Sequence, residues 1–204
     1  NLFLGLSFLI IFQYPCLARA RSYITLSSDT VLAGQYIMAA EKLLDRAEYD
    51  SAVYYYELAA KIYGRKKYLV NYLKCQNLII SAKRSSGKLS GLLKTAFGNL
   101  QISLVKFGES GTITGDCFNI IGELYSAANN QDSALLFYRK ALSVMNKNPA
   151  MDKKKLAGTY RNLGVVFIDK GLFDSASFYI GKSTLVLTDV YGDKDPELAR
   201  NYNL

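Results

Sequence analysis

The chain of 204 residues contains no histidine and no tryptophan. Without histidine it lacks the commonest general base near neutral pH and the commonest zinc ligand. An imidazole-based serine triad, a Cys–His pair and a histidine-held metal are all excluded. Cysteine is scarce too: Cys16, Cys75 and Cys117 are the only three, and they show no metal-ligand spacing. Cys16 falls in a segment expected to be removed, which leaves two, too few for a disulfide framework. Both are expected to be buried packing residues, with a single bridge as the lesser alternative. Proline is limited to three residues, so little in the chain forbids long helices.

Half of the residues are hydrophobic, enough for a sizeable core, and the formal net charge is +8. A basic balance admits nucleic acid or an anionic membrane as partner. The basic residues are scattered, however, and the densest runs, Arg65–Lys67 and Lys153–Lys155, fall at expected inter-repeat turns. Neither lies beside an aromatic platform or a reading helix, so no nucleic-acid partner is expected.

Residues 2–12 (LFLGLSFLIIF) are apolar or small without interruption. Eleven helical residues rise only about 16 Å, short of a hydrocarbon core of roughly 30 Å. Pro15 follows, then Ala18-Arg19-Ala20, an A-x-A pattern. This is the apolar stretch and cleavage site of a secretory signal, so residues 1–20 are expected to be cut after Ala20 and the remainder exported, to the periplasm, the envelope or outside the cell. An uncleaved anchor is the weaker option, and any membrane attachment is expected only through it or through a downstream segment. Gln13-Tyr14-Pro15 lacks the small residues that precede a lipid-modified cysteine, which counts against Cys16 as a lipid site. The basic start of a signal is missing and the first residue is Asn1, so the signal is expected to be cut short at its beginning.

After a short linker, 21–29, the pattern is helical and repetitive. Asp-Ser-Ala occurs at Asp50-Ser51-Ala52, Asp132-Ser133-Ala134 and Asp174-Ser175-Ala176, separated by 82 and then 42 residues. The first gap is about twice the second, which implies a hidden copy between. Ten to twelve residues before each Ala stands a small residue followed by a large one: Ala40 with Leu43, Gly122 with Tyr125, Gly164 with Phe167. Four residues after each Ala comes Tyr56, Tyr138 or Ile180, and three further on Ala59, Ala141 or Ser183. A small residue on one helix admits the close approach of the next, and large residues at i+3 and i+4 fill the rest of the groove. Asp50, Asp132 and Asp174 are expected to cap their helices, each cap contributing about 1 kcal/mol.

Four hairpins are therefore expected at 30–64, 68–106, 113–146 and 153–190, with a fifth beginning at 196–204. In the hidden copy, Leu92 or Leu93 stands for the Ala and Phe97 for the aromatic that follows. Asn203-Leu204 matches Asn162-Leu163 at a separation of 41, so the sequence is expected to be a fragment of a longer array.

At Gly122–Tyr125–Ala134–Tyr138–Ala141 and Gly164–Phe167–Gly171–Ala176 the sequence resembles the tetratricopeptide repeat family, over roughly residues 30–204. The period of about 42 looks like the long-helix variety of kinesin light chains and bacterial arrays. The resemblance implies an all-α fold, a right-handed superhelical solenoid of antiparallel helix pairs whose concave face is lined by the first helix of each pair. Outward positions of those helices are Glu41 and Asp45, then Asp116, Asn119 and Glu123, then Arg161 and Asp169. They read as a peptide groove with an acidic bias in the first and third copies, although an ordinary solvated helix face accounts for the same pattern. Some family members grip a terminal carboxylate with basic and amide groups. Here Ile37 and Glu41 stand at those positions, so that clamp is not expected.

Other motifs dissolve on inspection. Tyr54, Tyr55 and Tyr56 fan out about 100° apart on a helix and form no common platform. Ser85-Ser86-Gly87-Lys88 lacks the glycine spacing and preceding strand of a phosphate loop. Asp193 and Asp195 sit in a linker, where a turn and a helix cap explain them. The expected function is an exported scaffold that binds a protein or peptide, with no catalysis and no cofactor. The alternative is the sensor or regulatory arm of a larger protein, such arrays often preceding a caspase-like (CHAT) domain or a membrane-linked module.

Overall fold

The computed structural model describes residues 15–65, 67–148, 151–193 and 195–204, without the side chains of 15–28. These form nine helices: α1 Pro15–Leu44, α2 Tyr49–Arg65, α3 Leu69–Ser85, α4 Leu92–Phe107, α5 Thr112–Ala127, α6 Gln131–Met145, α7 Lys153–Asp169, α8 Phe173–Tyr191 and α9 Pro196–Tyr202. The expected export segment 1–20, with its cleavage after Ala20, involves side chains outside the described residues. Residues 21–29 are not a linker but continue α1, because nothing between Arg21 and Asp29 is a glycine or proline that would break a helix.

The helices pack in chain order as a solenoid of antiparallel pairs, α1 on α2, α5 on α6 and α7 on α8, each pair stacked on its neighbour. Two columns of small residues permit this. Ala40, Ala82, Gly122 and Gly164 recur at intervals of 40 to 42, and so do Ala33, Cys75, Gly115 and Ala157; all eight are buried. A methyl group on Gly122 would lie 2.7 Å from two ring carbons of Tyr138, and one on Gly164 would lie 2.6 Å from Ile180 Cγ1. The side chains of the second helix thus occupy the space that a side chain on the first would need.

The hidden copy keeps the columns but inverts the sizes on its second helix. Leu92 and Ala96 are buried where Ala134 and Tyr138 stand in the next copy, which selects Leu92 over Leu93 as the counterpart of the Ala. Phe97 is therefore not the core aromatic. It lies 38% exposed and meets Tyr125 and Phe137 edge-on. With a small residue at the deep position, α4 grips α3 weakly and leans on α5 instead.

Each hairpin turns through a residue in the left-handed region: Ala47 (φ 57°), Gly87 (φ 78°), Asn129 (φ 60°) and Gly171 (φ 70°). The following N–H reaches back five residues to close the turn, as Glu48 N to Leu43 O at 2.9 Å and Leu172 N to Phe167 O at 2.8 Å.

The aspartates of the Asp-Ser-Ala motif are not the caps. Asn130 caps α6, its side chain accepting from Ser133 N, and Asp132 lies one residue inside the helix. Its carboxylate reaches the next copy instead, where Lys170 Nζ donates at 2.8 Å. Asp50 does the same with Lys88 at 2.6 Å. In these two copies the aspartate thus links one copy to the next at the surface, placed where the positive end of its own helix also favours it. The linker aspartate does cap: Asp195 accepts from Glu197 N at 2.8 Å, with Pro196 at the first helical position.

Cys75 and Cys117 are free and buried, and burial pushes each thiol up to about 11. Cys75 holds a place in the small-residue column, and Cys117 meets the side chain of Asn77. Packing is the role of both.

Candidate functional site: the concave groove

The odd-numbered helices line one continuous groove of about 710 Å³, with Tyr138 and Met145 of α6 reaching its floor between them. α1 contributes Glu41, α3 Lys74, Ser81 and Arg84, α5 Asp116, Asn119 and Glu123, α7 Lys155, Arg161 and Asn162, and α9 Arg200. Equivalent positions on successive first helices, about 42 residues apart, carry different residues: Lys74, Asp116, Gly158 and Arg200 stand at one such position.

Glu123 is the hub. Its carboxylate accepts from Asn119 Nδ2 at 2.8 Å and Asn162 Nδ2 at 3.4 Å, and pairs with Arg84 at 3.3 Å. Ser81 Oγ is also within reach at 3.5 Å. Asn119 passes the chain onward, accepting from Thr159 Oγ1 at 3.0 Å. Asp116, whose side chain is 9% exposed, pairs with Lys155 through Oδ2, while Oδ1 has no partner. Burial raises its pKa above the usual carboxylate range, with the ammonium of Lys155 acting against that. Arg161 Nη1 donates to Glu197 at 2.8 Å. Each pair joins one copy to the next, so the groove wall is also the seam of the solenoid.

Of the residues expected on this face, Glu41, Asp116, Asn119, Glu123 and Arg161 come together in the groove. Asp45 and Asp169 do not. Asp45 lies exposed in the α1–α2 turn, and Asp169, at the end of α7, accepts from Gln131 Nε2 at 2.8 Å. The expected acidic bias is also overturned. Glu41, Asp116 and Glu123 face five cations, Lys74, Arg84, Lys155, Arg161 and Arg200. Reading first helices one at a time misses this, because the neutralising cation comes from the neighbouring copy. The 42-residue offset from Asp116 to Lys74 was the available signal.

A buried tyrosine, Tyr138, lies on the groove floor. Tyr138 is held by a hydrogen bond with Ser126, and its hydroxyl pKa is raised, mainly by burial. Tyr56, its counterpart in the first copy, has no partner for its hydroxyl. Burial, followed by the charge of Glu41, pushes that group up to about 12. Among the described residues no cluster of acidic or cysteine side chains is arranged to hold a metal.

Helix pairs of this length, stacked through small-residue columns around a concave groove, define a tetratricopeptide-type helical solenoid. Solved structures share the fold. BtubC (BKLC) from P. vanneervenii superposes with a TM-score of 0.61 at 22% identity, covering 82% of this chain and 67% of that one. A putative kinesin light chain with nearly identical TPR-like repeats, from Podosopora anserina, gives 0.59 at 13% identity, covering 86% of each chain. The apo form of RapI gives 0.61 at 18% identity, covering 91% of this chain and 51% of that one. No family model matches the chain, and no curated protein matches it in sequence.

Proposed function

We propose that the chain is an exported scaffold whose concave groove binds a protein or peptide segment, without catalysis of its own. The observation that carries this is the groove itself. It runs across four copies and the start of a fifth, and most of its inward polar groups are tied to one another as pairs and amide bridges rather than set out as a nucleophile with its base. Side chains held in this way present a preorganised surface, which lowers the ordering cost of binding. Lys74 is exposed on the groove wall and forms no ion pair among the described residues. It can meet an extended ligand without loss of the seam. Export rests on the apolar run 2–12 and the Ala18-Arg19-Ala20 pattern.

Peptides selected from a displayed random library provide the test. Their affinity for a Lys74→Ala variant should fall about fivefold or more while its melting temperature stays near the wild-type value. Unchanged affinity in that variant would remove the groove as the binding site. For export, residues 1–30 fused to alkaline phosphatase should give activity outside the cytoplasm of a bacterial host, and an inactive fusion would remove that part.

A further inference from the structure

The even-numbered helices form the outer row of the solenoid, and α4 stands in its middle between α2 and α6. Its sequence, LLKTAFGNLQISLVKF, contains no acidic residue and carries Lys94 in the first turn and Lys106 in the last. Between these lysines the solvent side presents Phe97, Gly98, Ile102 and Val105, with Ile102 40% and Val105 68% exposed. The Phe97–Phe137 contact joins this face to α6, where Leu136 is also exposed. A buried core needs none of these side chains outside, and contiguous exposed apolar surface marks an interaction face.

The charge around the patch identifies what covers it. On the outer row from α2 to α6, the carboxylates of Asp50, Glu57 and Asp132 are each paired with a lysine, and Glu109, in the α4–α5 loop, lines a small pocket with Lys140 and Lys147. Lys61, Lys94, Lys106 and Arg139 form no ion pair among the described residues, while Lys140 lies over the Phe118 and Phe137 rings. We infer that this outer face, centred on α4, docks on an anionic lipid surface. Ile102, Val105 and Phe97 enter the interface, and Lys94, Lys106 and the α6 cations meet the headgroups. An apolar strip flanked by lysines on an acid-free helix suits a lipid boundary. Nucleic acid would leave Ile102 and Val105 without a partner, since phosphate contacts need cations and not aliphatic side chains.

The chain has no tryptophan, so Val105→Trp supplies a single local reporter in the full-length protein. On vesicles of phosphatidylcholine with about a third phosphatidylglycerol, its emission should shift to the blue and be quenched by bromine-labelled acyl chains. On phosphatidylcholine alone the shift should be small. Each juxtamembrane lysine contributes about fivefold in partitioning, so Lys94→Gln with Lys106→Gln should weaken the response roughly 25-fold. Because the reporter reads only α4, cosedimentation through the apolar N-terminal run does not mimic it. Emission unchanged on anionic vesicles overturns the proposal. So does a shift indifferent to the two lysines, or a shift produced by a duplex oligonucleotide and not by vesicles.

Discussion

Replacing Gly122 by alanine sets two effects of opposite sign against each other. Alanine is the better helix former by about 1 kcal/mol, so at an open site in a helix the change stabilises. At Gly122 the new methyl group would lie 2.7 Å from Cδ1 and Cε1 of Tyr138 and 3.1 Å from its Cγ. That ring is only 2% exposed and is packed between α5 and α6, with one side on the groove floor. Overpacking of this kind costs about 1–3 kcal/mol, and contact with two ring atoms of a buried side chain places it in the upper part of that range. The net expectation is a loss of about 1–2 kcal/mol, or a thermal midpoint lowered by about 2–8 °C for a chain of this size. Gly98→Ala is the internal control. It lies inside α4 with nothing within 4 Å of the added carbon, and it should raise the midpoint by about 2–4 °C. The assay is thermal or urea unfolding followed by circular dichroism for the two variants and for Tyr138→Leu with and without Gly122→Ala. In the leucine background the cost of Gly122→Ala should shrink, because the ring atoms it meets are gone. A Gly122→Ala protein that gains as much as Gly98→Ala would refute the argument that close helix approach requires this glycine.

Four further outcomes follow from the geometry. Ala47→Gly should stabilise by about 1 kcal/mol in urea unfolding and Gly171→Ala should destabilise by a similar amount, since both residues hold the left-handed turn that only glycine adopts freely. Tyr56→Phe should be neutral or stabilising because its hydroxyl is buried without a partner, whereas Tyr138→Phe should lose about 0.5–1.5 kcal/mol with the Ser126 bond; paired melts separate them. Glu123→Ala should cost about 1–3 kcal/mol by leaving Arg84, Asn119 and Asn162 without their shared acceptor, read by the urea midpoint. Acid titration of the melting temperature should split two aspartates. Lys154 and the N–H of Glu197 hold Asp195 below its usual range, so its contribution is full above about pH 3.9 and is lost as the pH falls through the lower folded value. Burial raises Asp116, so its contribution is full below about pH 3.9 and is lost as the pH rises through the higher folded value. The wild type should therefore lose its advantage over Asp195→Asn on acidification and gain on Asp116→Asn; parallel profiles would contradict both assignments.

The Asp-Ser-Ala triplets and the small residues twelve positions before them made the solenoid legible from sequence, because a helix pair can approach closely only where the side chains allow it. The absence of histidine shaped the functional reading in the same direct way. Local chemistry sufficed there: a missing side chain or a small one constrains its own position whatever surrounds it. The partner of a charge is a different matter. Asp132 reads as a cap when only its own helix is considered, and becomes a fastener once Lys170 is brought 38 residues back to meet it. Glu41, Asp116 and Glu123 read as an acidic face until α3, α7 and α9 deliver their cations to the same groove. The decayed copy needed the fold as well, because either register of Leu92 and Leu93 satisfies a helical period and only the seam with α5 selects the one that buries Ala96. The sequence by itself determined where helices approach and how often they repeat. The tertiary structure alone decided which charges meet, since ion pairing depends on distances across copies that no local pattern records.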